Sequence, residues 1–141
     1  MLIENATPYR ASVINLLKAE KLPFEDLPDS LENFLVTIIN HEITGIVGLE
    51  CYGNVGLLRS MMVAPRFRGR GIAHTLIQHA ENLGRNNKLK AIYLLTETAS
   101  GYFSRKGYQQ IARDIVPDEI KQSSEYDGVC PQTAIVMGKS L

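Results

Sequence analysis

The spacing of apolar residues changes along the chain and predicts where strands and helices lie. Leu2-Ile3 predicts a short strand. Thr7 and Pro8 predict a helix start, with Thr7 as the N-cap and Pro8 at the first helical position. Pro23 limits this helix, so 21–30 is predicted to be a connector. The helix has a buried face with the spacing i, i+4, i+7 and i+8, formed by Tyr9, Val13, Leu16 and Leu17.

Three runs rich in β-branched residues follow the connector. They cover 34–39, 43–52 and 55–63. Asn40-His41-Glu42 and Gly53-Asn54 are turn sequences that separate them. The pattern therefore predicts a meander of three antiparallel strands.

A helical pattern comes after the meander, and its end is predicted at Gly84. The run 91–96 is continuously apolar, which predicts a strand buried on both faces. A helix over 101–106, a strand from Tyr108 and a last strand over 133–137 complete the chain. The face of the long helix consists of Ile72, Leu76, Ile77, Ala80 and Leu83.

Length and composition predict a single folded domain over residues 1–141. Lys and Arg number 15, as do Asp and Glu, and this balance argues against a nucleic acid or a membrane surface as partner. No apolar run reaches the roughly 20 residues that span a bilayer. The acidic N-terminus does not resemble a signal peptide, so we expect a cytoplasmic protein.

Cysteine and histidine spacing argues against disulfide and metal chemistry. Cys51 and Cys130 are far apart and are expected to be reduced thiols in a cytoplasmic protein. His74 and His79 are five residues apart, a spacing that puts them on different sides of a helix. We predict no metal site.

The candidate chemistry lies in a strand, a basic glycine-containing loop and a helix start that follow one another over 61–73. Gly69 and Gly71 allow the backbone to approach a ligand closely, and the start of the helix attracts anions. Three arginines add positive charge to this loop: Arg66, Arg68 and Arg70. The dinucleotide motif G-x-G-x-x-G and the P-loop lysine are absent, so a different phosphate site is indicated.

The segment Arg68-Gly69-Arg70-Gly71-Ile72-Ala73 resembles the Q/R-x-x-G-x-G/A signature of the GNAT superfamily of N-acetyltransferases. The resemblance implies an α/β (α+β) fold with a mixed, mostly antiparallel sheet of about six to seven strands flanked by helices. It also implies acetyl-CoA as cosubstrate, with its pyrophosphate on the backbone amides of the loop. The cofactor-binding residues implied are Met61, Met62, Val63, Arg68, Gly69, Arg70, Gly71, Ile72, Ala73 and Phe103.

Two further segments resemble narrower groups. The stretch 95–108 is similar to amino-acid N-acetyltransferases of the N-acetylglutamate synthase type. Segments 57–60, 22–27 and 126–131, together with Ala134, resemble small acetyltransferases of bacterial arsenic-resistance clusters. This likeness implies a small amino-acid acceptor, including toxic glutamate analogues.

The family resemblance also implies catalytic groups. Many members place a tyrosine acid where this chain has Phe103, and the neighbouring Tyr102 is the candidate that remains, with a core aromatic as the alternative. The N–H group of Val63 is the implied donor to the oxyanion. A strand glutamate that serves as base in some members would lie near Leu57 and is absent.

Three residues are candidates for acceptor binding. Strand alternation predicts Arg59 on the same face as Val63, where it binds an acceptor carboxylate or forms an ion pair with Glu50. Glu25 lies in the connector and is either an acceptor ligand or a solvated acid. Thr96 either binds the acceptor or caps the next helix.

Three functions remain open at this point. The first is N-acetylation of a small amino-acid-like amine, including detoxification. The second is a non-catalytic acetyl-CoA sensor, and the third is a protein N-acetyltransferase. A homodimer is compatible with the exposed edge expected of the last strand.

Overall fold

In the computed structural model of the protein, the described residues are 1–123, 126 and 133–141. The strands are β1 Leu2–Asn5, β2 Phe34–Ile39, β3 Glu42–Tyr52, β4 Val55–Val63, β5 Ala91–Thr96, β6 Gln109–Gln110 and β7 Ile135–Ser140. The α-helices are α1 Arg10–Ala19, α2 Ile72–Asn86, α3 Ser100–Arg105 and α4 Asp118–Lys121. Short 3-10 helices cover Thr7–Tyr9, Pro65–Phe67 and Arg113–Ile115.

The strands form one seven-stranded sheet in the order β1-β2-β3-β4-β5-β7-β6. Neighbouring strands are antiparallel except for β4 and β5, which run parallel. The parallel pairing joins Val55–Leu57 to Ala91–Tyr93 and does not continue to the carboxyl ends of the two strands. The sheet therefore opens between the ends of β4 and β5. The predicted mixed, mostly antiparallel sheet is confirmed.

Different helices pack against the apolar side chains on the two faces of the sheet. On one face, α2 and α3 pack through Leu76 and Phe103 against strand residues such as Leu94. On the other face, α1 packs through Leu17 against β2 to β4, and α4 packs through Ile120. The opening between β4 and β5 consequently lies between two packed layers.

The first helix begins differently from the prediction. Thr7 is the first residue of a 3-10 turn and not the N-cap, which is Ala6. The side chain of Asn5 accepts a hydrogen bond from the Thr7 N–H at 3.0 Å, so Asn5 satisfies an amide at the start of the turn. Pro8 is consequently the second residue of the turn and not, as predicted, the first, because the turn begins one residue earlier.

Gly84 does not end α2. The helix continues to Asn86, and the Asn87 side chain donates to the Leu83 carbonyl at 2.8 Å. Gly84 is buried, and a Cβ there would lie 3.0 Å from Leu141 Cδ1. The glycine thus allows close packing of α2, a tertiary requirement that a local pattern does not reveal.

Two predictions about the later strands also need correction. β5 is fully buried on one face only, through Ile92 and Leu94, whereas Tyr93 and Leu95 are partly exposed. The last strand extends to Ser140 because it pairs with the whole of β5, beyond the predicted 133–137. The helix α4 was not predicted.

Because of a β-bulge in β4, Arg59 lies on the face of the sheet opposite to the predicted one. Gly48 pairs with Arg59 and Ile46 pairs with Met62, so Ser60 and Met61 together oppose one residue of β3. Ser60 has a φ of 57°, the left-handed conformation found at such bulges. The extra residue reverses the alternation, and Arg59 therefore lies on the face opposite to Val63.

Two findings concern absences within the described residues. No helix among them is long and apolar enough to cross a membrane. No group of three or more His, Cys, Asp or Glu side chains in the same part of the chain could hold a metal ion. Cys51 is a free thiol, whereas Cys130 and most of the segment 126–134 lie outside the described residues.

Candidate active site

A cavity of about 1680 Å³ occupies the opening between β4 and β5. The connector after α1, the loop before α2 and the helix α3 complete its wall. The structure brings to this cavity every predicted site residue except Arg70, whose guanidinium instead lies 5.1 Å from the centre of the Phe67 ring. The lining residues predicted from sequence are Glu25, Arg59, Met61, Met62, Val63, Arg68, Gly69, Gly71, Ile72, Ala73, Thr96, Tyr102 and Phe103.

Backbone amides at one end of the cavity form a candidate anion site. Gly69 and Gly71 have φ values of 79° and 78°, and no atom lies within 4 Å of the Cβ position of either. The first helical hydrogen bond of α2 joins Thr75 N to Gly71 O. Within the described part of the chain, the amides of 69–74 donate to no backbone or side-chain acceptor. These amides and the positive end of a 15-residue helix fit a pyrophosphate.

Arg68 connects this loop to two other elements. Its Nε donates to the Val63 carbonyl at 3.1 Å, and its Nη2 donates to Glu20 at the end of α1 at 2.9 Å. Arg66 is exposed and pairs with Glu42 of β3. The arginines of the loop therefore make contacts within the protein. The backbone amides of the loop are the groups available to bind an anion.

The peptide N–H of Val63 points into the opening of the sheet. The amide of the next residue, Ala64, donates to Thr44 O of the neighbouring chain segment at 2.8 Å. Successive residues of a strand direct their N–H groups to opposite sides, so the Val63 N–H is directed away from β3. On that side β5 has diverged, and a carbonyl oxygen in the cavity can accept this hydrogen bond.

Arg59 is enclosed by acidic side chains. Its Nη1 and Nη2 donate to the two oxygens of Asp26, each at 2.8 Å, and Nη1 also donates to Glu50 at 2.7 Å. Its Nε donates to Ser60 Oγ at 3.1 Å, and the side chain is 0% exposed. The ion pair considered as an alternative for Arg59 is therefore present, with Asp26 as an additional partner.

The aromatic residues of α3 provide one hydroxyl beside the cavity. Phe103 is buried between Tyr102 and Tyr108, with 5.7 Å between ring centres in each pair. Tyr102 is partly buried, and this burial raises the pKa of its phenol above the ordinary value. Lys106 Nζ lies 5.3 Å from the Tyr102 ring centre and 2.9 Å from His74 Nδ1.

Thr96 and Glu25 have different environments. Thr96 Oγ1 accepts a hydrogen bond from Ala99 N at 3.0 Å and so caps the turn before α3, while still lining the cavity. Glu25 is exposed on the connector. Sequence reasoning did not single out Lys106 or Ser60, because their positions depend on the fold of α3 and on the bulge in β4.

Comparison with known proteins identifies the family. Residues 30–110 match the family model of the acetyltransferase (GNAT) domain. The chain belongs to the GNAT family. Acetyl-CoA is the acyl donor of this family, and the amide site described above fits its pyrophosphate.

One curated relative and two solved structures illustrate the likeness. The uncharacterized N-acetyltransferase CT2212 of Chlorobaculum tepidum is 27% identical over 101 residues, which are 71% of this chain and 64% of that relative. Rv2747 of Mycobacterium tuberculosis, solved with CoA and NLQ, has a TM-score of 0.84 at 17% identity over 100% of this chain and 99% of its own. N-acetylglutamate synthase of Neisseria gonorrhoeae, solved with CoA and N-acetyl-glutamate, has a TM-score of 0.81 at 15% identity. This chain covers 35% of the synthase, and the synthase match covers 99% of this chain.

Proposed function

We propose that this GNAT protein transfers the acetyl group of acetyl-CoA to the amine of a small amino-acid-like acceptor. One observation carries the proposal: one cavity is lined both by Gly69, Gly71 and Ala73, whose amides donate to no acceptor among the described residues, and by Val63, whose N–H is directed away from β3. The first group suits the pyrophosphate of a CoA ester. The second suits a thioester carbonyl that becomes negatively charged during the reaction.

The fold determines which residues would contact each part of acetyl-CoA in the cavity. The amides of Gly69, Gly71 and Ala73 would bind the pyrophosphate, and the strand residues Met61 and Met62 would lie beside the pantetheine. The thioester carbonyl would then reach the Val63 N–H. Arg68 supports this arrangement because it joins the loop to the Val63 carbonyl on the next part of the chain.

The reaction itself needs a neutral amine beside the thioester carbon. The amine nitrogen forms the C–N bond, the C–S bond breaks, and the CoA thiolate leaves. The amine loses one proton, and the thiolate gains one. Many family members have a tyrosine acid at the position of Phe103. We assign protonation of the thiolate to the hydroxyl of Tyr102, which lies beside the cavity.

The acceptor in this proposal carries a carboxylate, as glutamate and its phosphinate or arsenical analogues do. Arg59 is a cation that a carboxylate can pair with bidentately, and it lines the same cavity as Glu25 and Thr96. The neisserial synthase, whose fold is similar, was solved with N-acetyl-glutamate. Detoxification of a toxic glutamate analogue is the biological role that agrees with this acceptor.

A second candidate function is a non-catalytic sensor of acetyl-CoA. Phe103, which has no hydroxyl at the position of the usual tyrosine acid, favours it. A sensor binds acetyl-CoA but transfers no acetyl group to any amine. Turnover therefore separates the two functions.

The test is acetyl-CoA-dependent thiol release with a panel of acceptors: glutamate, phosphinothricin, other α-amino acids, polyamines and lysine peptides. Acetyl-CoA at about 100 times its dissociation constant should raise the free energy of unfolding by about 2.7 kcal/mol, which verifies the donor site separately. Turnover confined to anionic amino acids supports the proposal. Stabilisation without turnover supports the sensor, and turnover confined to lysine peptides indicates a protein acetyltransferase.

Val63→Pro is the sharpest variant for this assay. Proline removes the N–H that points into the opening. The hydrogen bond from the Ala64 N–H to the Thr44 carbonyl remains possible. Loss of one oxyanion donor should lower kcat by about 10²- to 10³-fold while acetyl-CoA still stabilises the protein. Val63→Ala keeps the N–H group and should retain most activity. Equal activity in the two variants would contradict the role assigned to Val63.

A further inference from the structure

Asp26 is bound to Arg59 in the way an acceptor carboxylate would be bound. Both carboxylate oxygens accept hydrogen bonds of 2.8 Å from the two terminal nitrogens of the guanidinium. The Arg59 side chain is completely covered, and Asp26 is 12% exposed toward the cavity. A ligand carboxylate can reach this face of Arg59 only if Asp26 moves away.

Among the described residues, the acidic partners of Arg59 are Asp26 and Glu50, and they lie on backbone of different regularity. Glu50 belongs to β3, where it pairs with Leu57 of β4. Asp26 belongs to the irregular connector between α1 and β2 and lines the cavity. Asp26 is therefore the partner that can exchange, while Glu50 remains beside the guanidinium.

The connector is anchored on both sides of a four-residue segment, 23–26. Before it, Leu22 N donates to Leu17 O at 2.9 Å. After it, the buried side chain of Leu27 packs in the core, and Arg10 donates to the carbonyl of Pro28 at 2.7 Å. The hydrogen bond from Leu27 N to Phe24 O is 3.4 Å long. Movement can thus be confined to 23–26, whose residues all line the cavity.

We propose that Asp26 is an exchangeable internal ligand of Arg59 and determines acceptor specificity. The inference rests on the proposed function, because it takes the acceptor to carry a carboxylate. On binding, the acceptor carboxylate replaces that of Asp26, and segment 23–26 shifts toward solvent. One carboxylate replaces another, so Arg59 never becomes an unpaired buried charge, which would be strongly unfavourable.

Competition with a tethered carboxylate makes recognition selective. A group held on a short connector acts at an effective concentration in the millimolar range. An acceptor must exceed this competition through additional contacts with the cavity, so simple carboxylates bind poorly. An amine without a carboxylate does not compete for Arg59 and gains nothing from the exchange.

The variant Asp26→Asn tests the inference by a binding measurement. Asn is similar in size, and Glu50 still neutralises Arg59. Glutamate binding to the protein saturated with CoA would be measured by calorimetry. We expect the dissociation constant for glutamate to fall by about tenfold or more in the variant, because the tethered competitor is removed. Binding of ethanolamine, which has no carboxylate, should not change.

Asp29→Asn is the matched control. It makes the same charge change three residues away on the same connector, at an exposed side chain. We expect it to leave glutamate affinity unchanged. An equal gain in both variants would contradict the inference, because it would reflect general electrostatics and not release of Arg59.

Amide hydrogen exchange in the wild-type protein gives a second readout that needs no variant to fold. Saturating glutamate should increase exchange of the Leu27 amide, whose hydrogen bond to Phe24 O spans the segment, and it should leave the Leu22 amide protected. In Asp26→Asn the Leu27 amide should exchange rapidly even without glutamate. Unchanged exchange in glutamate-bound wild type, or an unchanged or weaker glutamate affinity in Asp26→Asn, overturns the inference.

These outcomes are distinguishable from failure of the proposed function. Tighter glutamate binding in Asp26→Asn supports the exchange even if the panel of amines shows no turnover. Turnover of carboxyl-free amines combined with no glutamate binding to either protein contradicts the exchange and leaves acetyl transfer intact.

Discussion

Arg68 Nε donates a 3.1 Å hydrogen bond to the carbonyl oxygen of Val63. The same guanidinium reaches Glu20, so one side chain joins the end of β4, the glycine-containing loop and the end of α1. Because the Val63 carbonyl and N–H lie on the same side of the strand, Arg68 also stabilises the orientation of the amide that faces the cavity.

Arg68→Ala should therefore weaken acetyl-CoA binding mainly through lost positioning. We expect the KM for acetyl-CoA to rise by about tenfold, the effect of losing a hydrogen bond to a charged group. Arg66→Ala removes the same charge from an exposed ion pair and should change the KM less than about twofold. Steady-state kinetics of both variants checks this, and equal effects would show that loop charge matters more than the contact with Val63.

Gly71→Ala should affect stability and ligand binding together. Gly71 has a φ of 78°, and the space at its Cβ position is open. Alanine in this conformation costs about 1–2 kcal/mol. The methyl group would also project toward the anion site, so the stabilisation by acetyl-CoA should fall.

Gly53→Ala is the matched control for this prediction. Gly53 has a φ of 62° and equally open surroundings, but it lies in the turn between β3 and β4. Urea unfolding should show a similar loss of stability in both variants. If Gly53→Ala reduced the acetyl-CoA effect as much as Gly71→Ala, the assignment of the amide site would be wrong.

Tyr102→Phe tests the assignment of the proton donor. We expect kcat to fall by about 10²-fold or more with an unchanged KM for acetyl-CoA. Because burial raises the Tyr102 pKa above its ordinary value, the phenol stays protonated throughout the neutral and mildly alkaline range. A pH profile of wild-type kcat should accordingly show no decline from this group below about pH 10. Tyr9→Phe, remote from the cavity, is the control, and full activity of Tyr102→Phe would indicate protonation by water.

Tyr108 should make stability depend on alkaline pH. Its hydroxyl donates to the buried Glu81 carboxylate at 3.0 Å, and burial followed by the charge of Glu81 strongly raises the Tyr108 pKa. Above about pH 10 the unfolded chain loses the phenolic proton and the folded protein retains it. The free energy of unfolding should therefore decrease as pH rises above that value.

Tyr108→Phe should remove this part of the pH dependence. At neutral pH it should also lower the free energy of unfolding by about 1.5–3 kcal/mol, because a hydrogen bond to a carboxylate is lost while Lys139 still pairs with Glu81. Denaturant unfolding between pH 7 and pH 11 measures both effects. An identical alkaline slope in wild type and variant would show that other groups cause it.

Local features of this protein were readable from the sequence. The strands of the meander follow from β-branched runs, and the candidate anion site follows from glycines directly before a helix, because its amides belong to consecutive residues. The position of Phe103 in place of a tyrosine is also a property of a short segment. Fold class and family could be predicted because these local signals agree with one another.

The acceptor side required the tertiary structure. The bulge at Ser60 is a mismatch between two paired strands, and it reversed the face on which Arg59 was expected. Asp26 and Arg59 are 33 positions apart, and nothing in either neighbourhood indicates their pairing. The need for a glycine at position 84 likewise comes from its contact with Leu141, which is distant along the chain.

The sequence by itself thus determined the elements, their order and the amide site, since these depend on neighbours along the chain. The tertiary structure alone decided which charged side chains meet across the cavity and which face of β4 each residue occupies. The physical reason is that strand register and ion pairing depend on distances in space, and a single extra residue in one paired strand moves the following side chains to the other face.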